Sequence, residues 1–335
     1  MLWTIAAPFF TRSDARWIDD AVPEGPDSFH KVAVPGSDDV SWHDRPTRAT
    51  PVTTWLRHWR HSAAALRSGD GLITVFPQLA FTAAMQRRRN HQIVAWCFNI
   101  GAYPAGVRGW IARRVLRSID HFVVHSRGEV GLLRDWLDLG EGRVSFVPLQ
   151  RAPIPILAAE DQEQPFALAM GSANRDYPAL LEAARICGLP LTIVAAPRLF
   201  EGLSMPENVT LLSSLSAEEC WRLAQRARLS IVPLADVGAA SGQITVVEAL
   251  RMGRPLIATR TIGTVDYVAH DENGLLVAPS DPVALAAAME RLWHDRAARE
   301  RLAAAGAAFA EASLSDETAA QSLLKILRQV QAGSA

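Results

Sequence analysis

Short apolar runs alternate along this chain with longer stretches whose apolar positions recur every three or four residues. The runs at 2–8, 30–36, 71–77, 93–98, 121–126 and 144–149 read as strands. Helical spacing fills the gaps at about 52–67, 79–89, 107–117 and 127–138. The alternation stops at "QRAPIPILAAEDQEQP" (150–165), where three prolines and an acidic cluster read as a linker. It then restarts, with strands expected at 166–171, 191–196, 208–213, 229–234, 255–259 and 274–278. Helices are expected at 177–187, 216–227, 242–252, 281–293, 296–311 and 315–331. Strands alternating with helices predict parallel α/β sheets. Two doubly wound domains follow, one at 1–150 and one at 151–314. Ligands of such sheets bind beyond the carboxyl ends of the strands, so two facing sheets would line a cleft there.

Composition narrows the partners. With 335 residues, 49% apolar and 21% charged, the chain suits a soluble globular protein. A net charge of −1 argues against a nucleic-acid binder. Three scattered cysteines, Cys97, Cys187 and Cys220, support neither a disulfide framework nor a zinc site and fit a reducing compartment. The start "MLWTIAAPFF" lacks the positive segment of a signal peptide, and no run of 18 apolar residues predicts a transmembrane helix. A cytoplasmic location is expected. One asymmetry stands out: residues 51–119 hold ten arginines against a single acid, Asp70. Such a face suits an acidic acceptor or weak peripheral contact with the inner face of a membrane. The alternative is a solvated surface balanced by the acidic first 50 residues.

The stretch "ASGQITVVEALRMGRPLIAT" (240–259) carries the main chemistry. Ser241 is a suitable N-cap, followed by Gly242, while Gly253 and Pro255 end the helix. Because a strand precedes it, the amides of Gly242, Gln243 and Ile244 would form an anion site, and Gly242 lets a phosphate approach the backbone. Glu248 lies among Val246, Val247, Ala249 and Leu250, so its carboxylate needs a partner. That partner is either Arg251 or Arg254, or the hydroxyls of a ribose about one and a half turns beyond the phosphate.

From "SGQITVVEALRMGRPLIATRTIGTVDYVAHDENGLLVAPSDPVALAAAMERLW" the chain resembles glycosyltransferase family 4, of the GT-B fold. "NVTLLSSLSAEE" resembles the family's base-binding strand and turn, which implies Ser213 and the backbone near 211–215. The resemblance implies an α/β fold of two Rossmann-like domains, with the last helix (315–335) crossing back to the first. It also implies a nucleotide-diphosphate sugar as donor (a UDP- or GDP-sugar), no metal and no tightly bound cofactor, and retention of anomeric configuration. Glu248 matches the second glutamate of the family motif, the ribose ligand. Ala240 stands in place of the first, with Asp236 as a candidate substitute.

Further candidates lie at strand ends. In "FALAMGSANRDYPALLEA", Gly171, Ser172 and Asn174 would line the diphosphate and Arg175 would bind it, unless Arg175 is a surface cation paired with Asp176. In the first half, Asn99 falls where many family members have a histidine near the reacting sugar. His125 ends a strand and is either a catalytic group or a core histidine. Arg12 and Ser13 could reach an acceptor, or Ser13 could cap a helix. The expected activity is sugar transfer to an unknown glycan, lipid-linked, protein or small-molecule acceptor. The alternatives are a non-catalytic nucleotide-binding or partner subunit, favoured by Ala240, and a nucleotide-sugar epimerase.

Overall fold

A computed structural model describes residues 1–34, 52–87 and 91–333. The chain divides into two compact units, one of residues 1–147 with 316–335 and one of 148–315.

The first unit holds six parallel strands: β1 (Leu2–Ala6), β2 (Ser28–Val32), β3 (Gly71–Val75), β4 (Gln92–Trp96), β5 (His121–Val124) and β6 (Val144–Phe146). Their order is β2-β1-β3-β4-β5-β6. Helices α1 (Val52–Ser68), α2 (Pro77–Met85), α3 (Gly106–Leu116) and α4 (Arg127–Leu137) make the crossovers from β2 onward. All four crossovers step the same way across the sheet, so right-handed connection puts these helices on one face. The strand side chains follow with period two. Ala6, Leu72, Ile93, Ala95 and Phe122 pack against α1 to α4. Trp3, Ile5, Ile73, Val94, Trp96 and Val123 pack on the opposite face, against Phe10, Ile18 and α10 (Asp316–Ala332). The last helix thus completes the core of the first unit, through Ala319, Leu323, Ile326, Leu327 and Val330.

The second unit holds β7 (Ala167–Met170), β8 (Leu191–Val194), β9 (Val209–Leu212), β10 (Leu229–Val232), β11 (Leu256–Thr259) and β12 (Leu275–Val277). Their order is β12-β11-β10-β7-β8-β9. Its helices are α5 (Tyr177–Cys187), α6 (Ala217–Arg226), α7 (Gln243–Arg251), α8 (Pro282–His294) and α9 (Arg296–Ser313). From β7 the chain winds one way across the sheet, and from β10 the other. The neighbours β7 and β10 therefore form the topological switch point, where a crevice opens beyond their carboxyl ends.

The stretch 150–165 is built into the second unit and is not a free linker. Gln225 of α6 accepts from the amides of Leu157 (2.6 Å) and Ala158 (3.0 Å) and donates to Pro155 O, while the Asp161 amide donates to Arg226 O. Helix α2 begins at Pro77, two residues before the expected start, because Phe76 turns the chain with φ 75° and proline suits the first helical position. The end of the run expected at 30–36, and Arg88 and Arg89, lie outside the described residues. No helix among the described residues is long and apolar enough to cross a membrane.

Candidate functional site

Two loops meet at the switch point. The loop after β7 runs from Gly171 to Asp176, and the loop after β10 from Pro233 to Gly242. Backbone bonds tie them together: Asp176 N donates to Pro233 O (3.1 Å) and Ala235 N to Asn174 O (3.0 Å). Asn174 takes a positive φ of 51° in making this turn. The hydroxyl of Thr259, from β11, accepts the Leu234 amide at 2.9 Å and holds the second loop from below.

Arg175 occupies the junction. Its Nε donates to Met170 O (3.0 Å), Nη1 to Ala173 O (2.9 Å) and Nη2 to Thr245 Oγ1 of α7 (3.0 Å). No carboxylate among the described residues lies within ion-pair distance of it. The expected alternative, pairing with Asp176, is not what forms. Asp176 caps α5, its Oδ1 accepting from Ala179 N and its Oδ2 from Ser280 Oγ. Burial lowers the pKa of Arg175, yet a guanidinium stays protonated at any physiological pH. A cation therefore sits at the strand ends with neutral acceptors only, and three of its N–H groups are engaged of the five that a guanidinium carries. Gly171 lies directly over it: a Cβ there would fall 2.5 Å from Nη2, and φ is +111°. The Tyr177 hydroxyl donates to Gly171 O, and burial pushes its pKa up to about 12.

Helix α7 starts one residue later than Ser241 capping requires. Gly242 is the N-cap, left-handed at φ 77°, and no side chain caps the helix. A Cβ at Gly242 would meet Leu234 Cδ1 at 2.9 Å, so glycine is needed for both conformation and space. Val246 N closes the first intrahelical bond to Gly242 O at 3.0 Å. The amides of Ile244 and Thr245 have no carbonyl within the helix to donate to. The Ser241 hydroxyl is buried and has no partner among the described residues. Gly263 presses on the backbone of Ser241, at 2.6 Å from an added Cβ to its nitrogen, and so fixes the approach to the helix.

Glu248 stands on α7 with 13% of its side chain exposed. Its partner is neither Arg251, which pairs with Glu311, nor Arg254, which donates to Gln225 O. Arg151 fills that place from 97 residues away, its Nε 3.1 Å from Oε1 and its Nη2 on the same oxygen. Only Oε1 is engaged, and Oε2 bonds no protein group among the described residues. Arg151 and Thr245 escaped the sequence reading. Thr245 alone left a signal, as a hydroxyl in the first turn of the suspected anion helix.

The remaining candidates separate. Ser172 and Asn174 are exposed on the β7 loop, and Ile244 is exposed on α7, beside Arg175 in the fold. Ser213 follows the edge strand β9 and is exposed. Asp236 accepts the Gly238 amide at 3.2 Å, closing its own turn, and Ala240 is 4% exposed. Asn99 and His125 belong to the first unit. Asn99 accepts the Gly101 amide at 2.8 Å. His125 is a core histidine: Nδ1 lies 2.7 Å from Val147 O and Nε2 2.8 Å from Cys97 Sγ. Burial drops its pKa to about 4, so the ring is neutral at physiological pH. Arg12 pairs with Asp14 on the surface.

Residues 173–295, which span the β7 loop, α7 and the strands around them, match the family described as Glycosyl transferases group 1. This segment is a glycosyl transferases group 1 domain. The group 1 domain contains Arg175, Gly242 and Glu248 in one piece of chain. A stretch of 101 residues is 37% identical to part of an exopolysaccharide phosphotransferase of Streptomyces coelicolor, covering 30% of this chain and 10% of that protein. Among solved structures, a sucrose-phosphate synthase of Thermosynechococcus elongatus is similar at TM-score 0.73 and 19% identity, over 99% of each chain. Anabaena HepE, solved in complex with UDP, is similar at TM-score 0.68 and 12% identity, over 98% of this chain and 100% of that one. Beyond its group 1 domain, the chain has the GT-B fold of these proteins.

Proposed function

We propose that the chain is a glycosyltransferase whose second unit holds a nucleoside diphosphate sugar, a UDP- or GDP-sugar, and passes the sugar to an acceptor hydroxyl. One observation carries the reading. Arg175 is a cation with no carboxylate partner among the described residues, bonded to Thr245 beside the open amino end of α7. The helix end and the guanidinium both favour a dianionic group between them. The Ser241 hydroxyl adds a third donor. Glu248, one and a half turns along the helix, would take a ribose hydroxyl on Oε2 while Arg151 steadies Oε1.

Transfer breaks the bond between the anomeric carbon and the phosphate oxygen and forms one to the acceptor oxygen. The acceptor proton goes to the departing diphosphate, so no protein base is required. Negative charge grows on that diphosphate, and donors fixed before the reaction stabilise it without reorganising. Anabaena HepE has also been solved with UDP-glucose, which supports a sugar nucleotide as the donor class.

Calorimetric titration with UDP, GDP and the parent nucleosides tests the site. Arg175→Ala should weaken diphosphate binding roughly 10- to 100-fold and leave nucleoside binding nearly unchanged. Arg175→Lys, which keeps the charge, should lose less. Equal losses for nucleoside and diphosphate would remove Arg175 from the phosphate.

A second reading, a nucleotide-binding subunit without transferase activity, is favoured by the buried methyl of Ala240 where the family motif carries a glutamate. Slow hydrolysis of a sugar nucleotide by the isolated chain separates the two, since a binding subunit would release no sugar.

A further inference from the structure

A helix packed on a sheet normally carries one apolar stripe, turned inward. Helix α3 carries two. Gly109 and Leu116 are buried on its inner side. On the opposite side Val107, Trp110 and Ile111 are 75%, 66% and 42% exposed. Their spacing of i, i+3 and i+4 makes them one continuous outward stripe. Arg108 and Arg113 flank this stripe on either side and Arg114 follows at its end, all exposed. None of these three arginines meets a carboxylate among the described residues.

Beside the helix lies a groove of about 720 Å³. Tyr103 and Trp136 line it with their rings tilted at 44° and centroids 5.2 Å apart, and Arg113, Arg114 and Arg117 line it too. Arg117 is tied to Asp138, which leaves the other two for a ligand. The same unit exposes further apolar side chains, Leu56 and Trp59 of α1 and Met85 of α2. The stretch 51–119 contains one acid, Asp70, and its Oδ2 accepts the Leu2 amide.

We propose that the outward face of α3 docks the protein on an anionic lipid bilayer, with Val107, Trp110 and Ile111 entering the headgroup boundary and Arg108, Arg113 and Arg114 on lipid phosphates. Exposed aliphatic residues beside a tryptophan suit the interface of a bilayer. The uncompensated arginines make the partner anionic. A nucleic acid would match the arginines and aromatics but offers nothing to the aliphatic Val107 and Ile111. The inference lies in the first unit and does not rest on the donor site.

Co-sedimentation of the full chain with phosphatidylcholine vesicles, with and without roughly one part in three phosphatidylglycerol, tests it. Binding is expected only to the anionic vesicles and should fall away at high salt. Arg113→Glu with Arg114→Glu should reduce partitioning at least about tenfold, and Trp110→Ser with Ile111→Ser should do the same. A thermal melt checks that each variant folds. Brominated lipid should quench wild-type fluorescence more than that of Trp110→Phe, a readout that conservative variant gives without loss of fold. Equal binding to neutral vesicles, sedimentation without lipid, preference for single-stranded RNA over vesicles, or unchanged partitioning of the folded variants would overturn the proposal.

Discussion

Charge at single residues governs the candidate site. Among the described residues, Arg175 has no carboxylate partner, and Glu248 has one oxygen engaged and one open. The Arg151–Glu248 pair is partly exposed, with 43% of the arginine side chain accessible. Glu248→Gln should therefore cost less than about 1 kcal/mol of stability, while nucleoside affinity drops about tenfold through loss of a charged hydrogen bond. Urea denaturation and calorimetry on one preparation read both, and a large stability loss with unchanged affinity would make Glu248 structural. Gly242→Ala forces a Cβ against Leu234 at a positive φ. It should cost about 1–3 kcal/mol and weaken diphosphate binding together, since the same turn aims the amides. At this scale the sequence revealed less than at any other. Ser241 has the chemistry of a cap, but the space beside Leu234 selects glycine, which only packing discloses. The partner of Glu248 comes from 97 residues away, and no local spacing points to Arg151.

Elements were far more legible, because period and burial act locally. All twelve expected strands and all ten expected helices occur, most within two residues of their predicted ends. The alternation of Ala6, Leu72 and Phe122 against Ile5, Ile73 and Val123 shows why: the inner strands are covered on both faces, so their apolar runs are continuous and bounded by turns. The stretch 150–165 misled through its prolines and acids, whose contacts with Gln225 and Arg226 are tertiary. Asp176 is the N-cap of helix α5, and its carboxylate accepts the Ala179 amide at 3.1 Å. Asp176→Ala should cost about 1 kcal/mol in chemical denaturation. Leu323→Ala in α10 removes a fully buried side chain from the first unit's core. A loss of about 2–5 kcal/mol is expected there, and the transition of the second unit should not move. A shift in both transitions alike would contradict that assignment.

Across the whole molecule, buried histidines set the response to acid. Burial lowers the pKa of His58, His121 and His125 to about 4 from 6.5. All three rings belong to the first unit. Unfolding restores the ordinary value, so below pH 6.5 the unfolded chain takes up protons that the folded one refuses. The stability these rings lend is complete above pH 6.5 and drains as pH falls toward 4. Each ring contributes on the order of 3 kcal/mol across that window. The stability of the first unit should fall steeply between neutral and mildly acid pH, and a flat profile in denaturation would refute the burial account. One connectivity feature bears on biosynthesis. Because α10 belongs with residues 1–147, the first unit is interrupted by the whole of the second. On the ribosome, the segment synthesised first must wait for the last helix to emerge, while the inserted unit, continuous in sequence, can finish beforehand. Vectorial synthesis therefore reverses the usual order here, and a stalled nascent chain lacking α10 should display a protease-resistant interior and a protease-sensitive amino-terminal half.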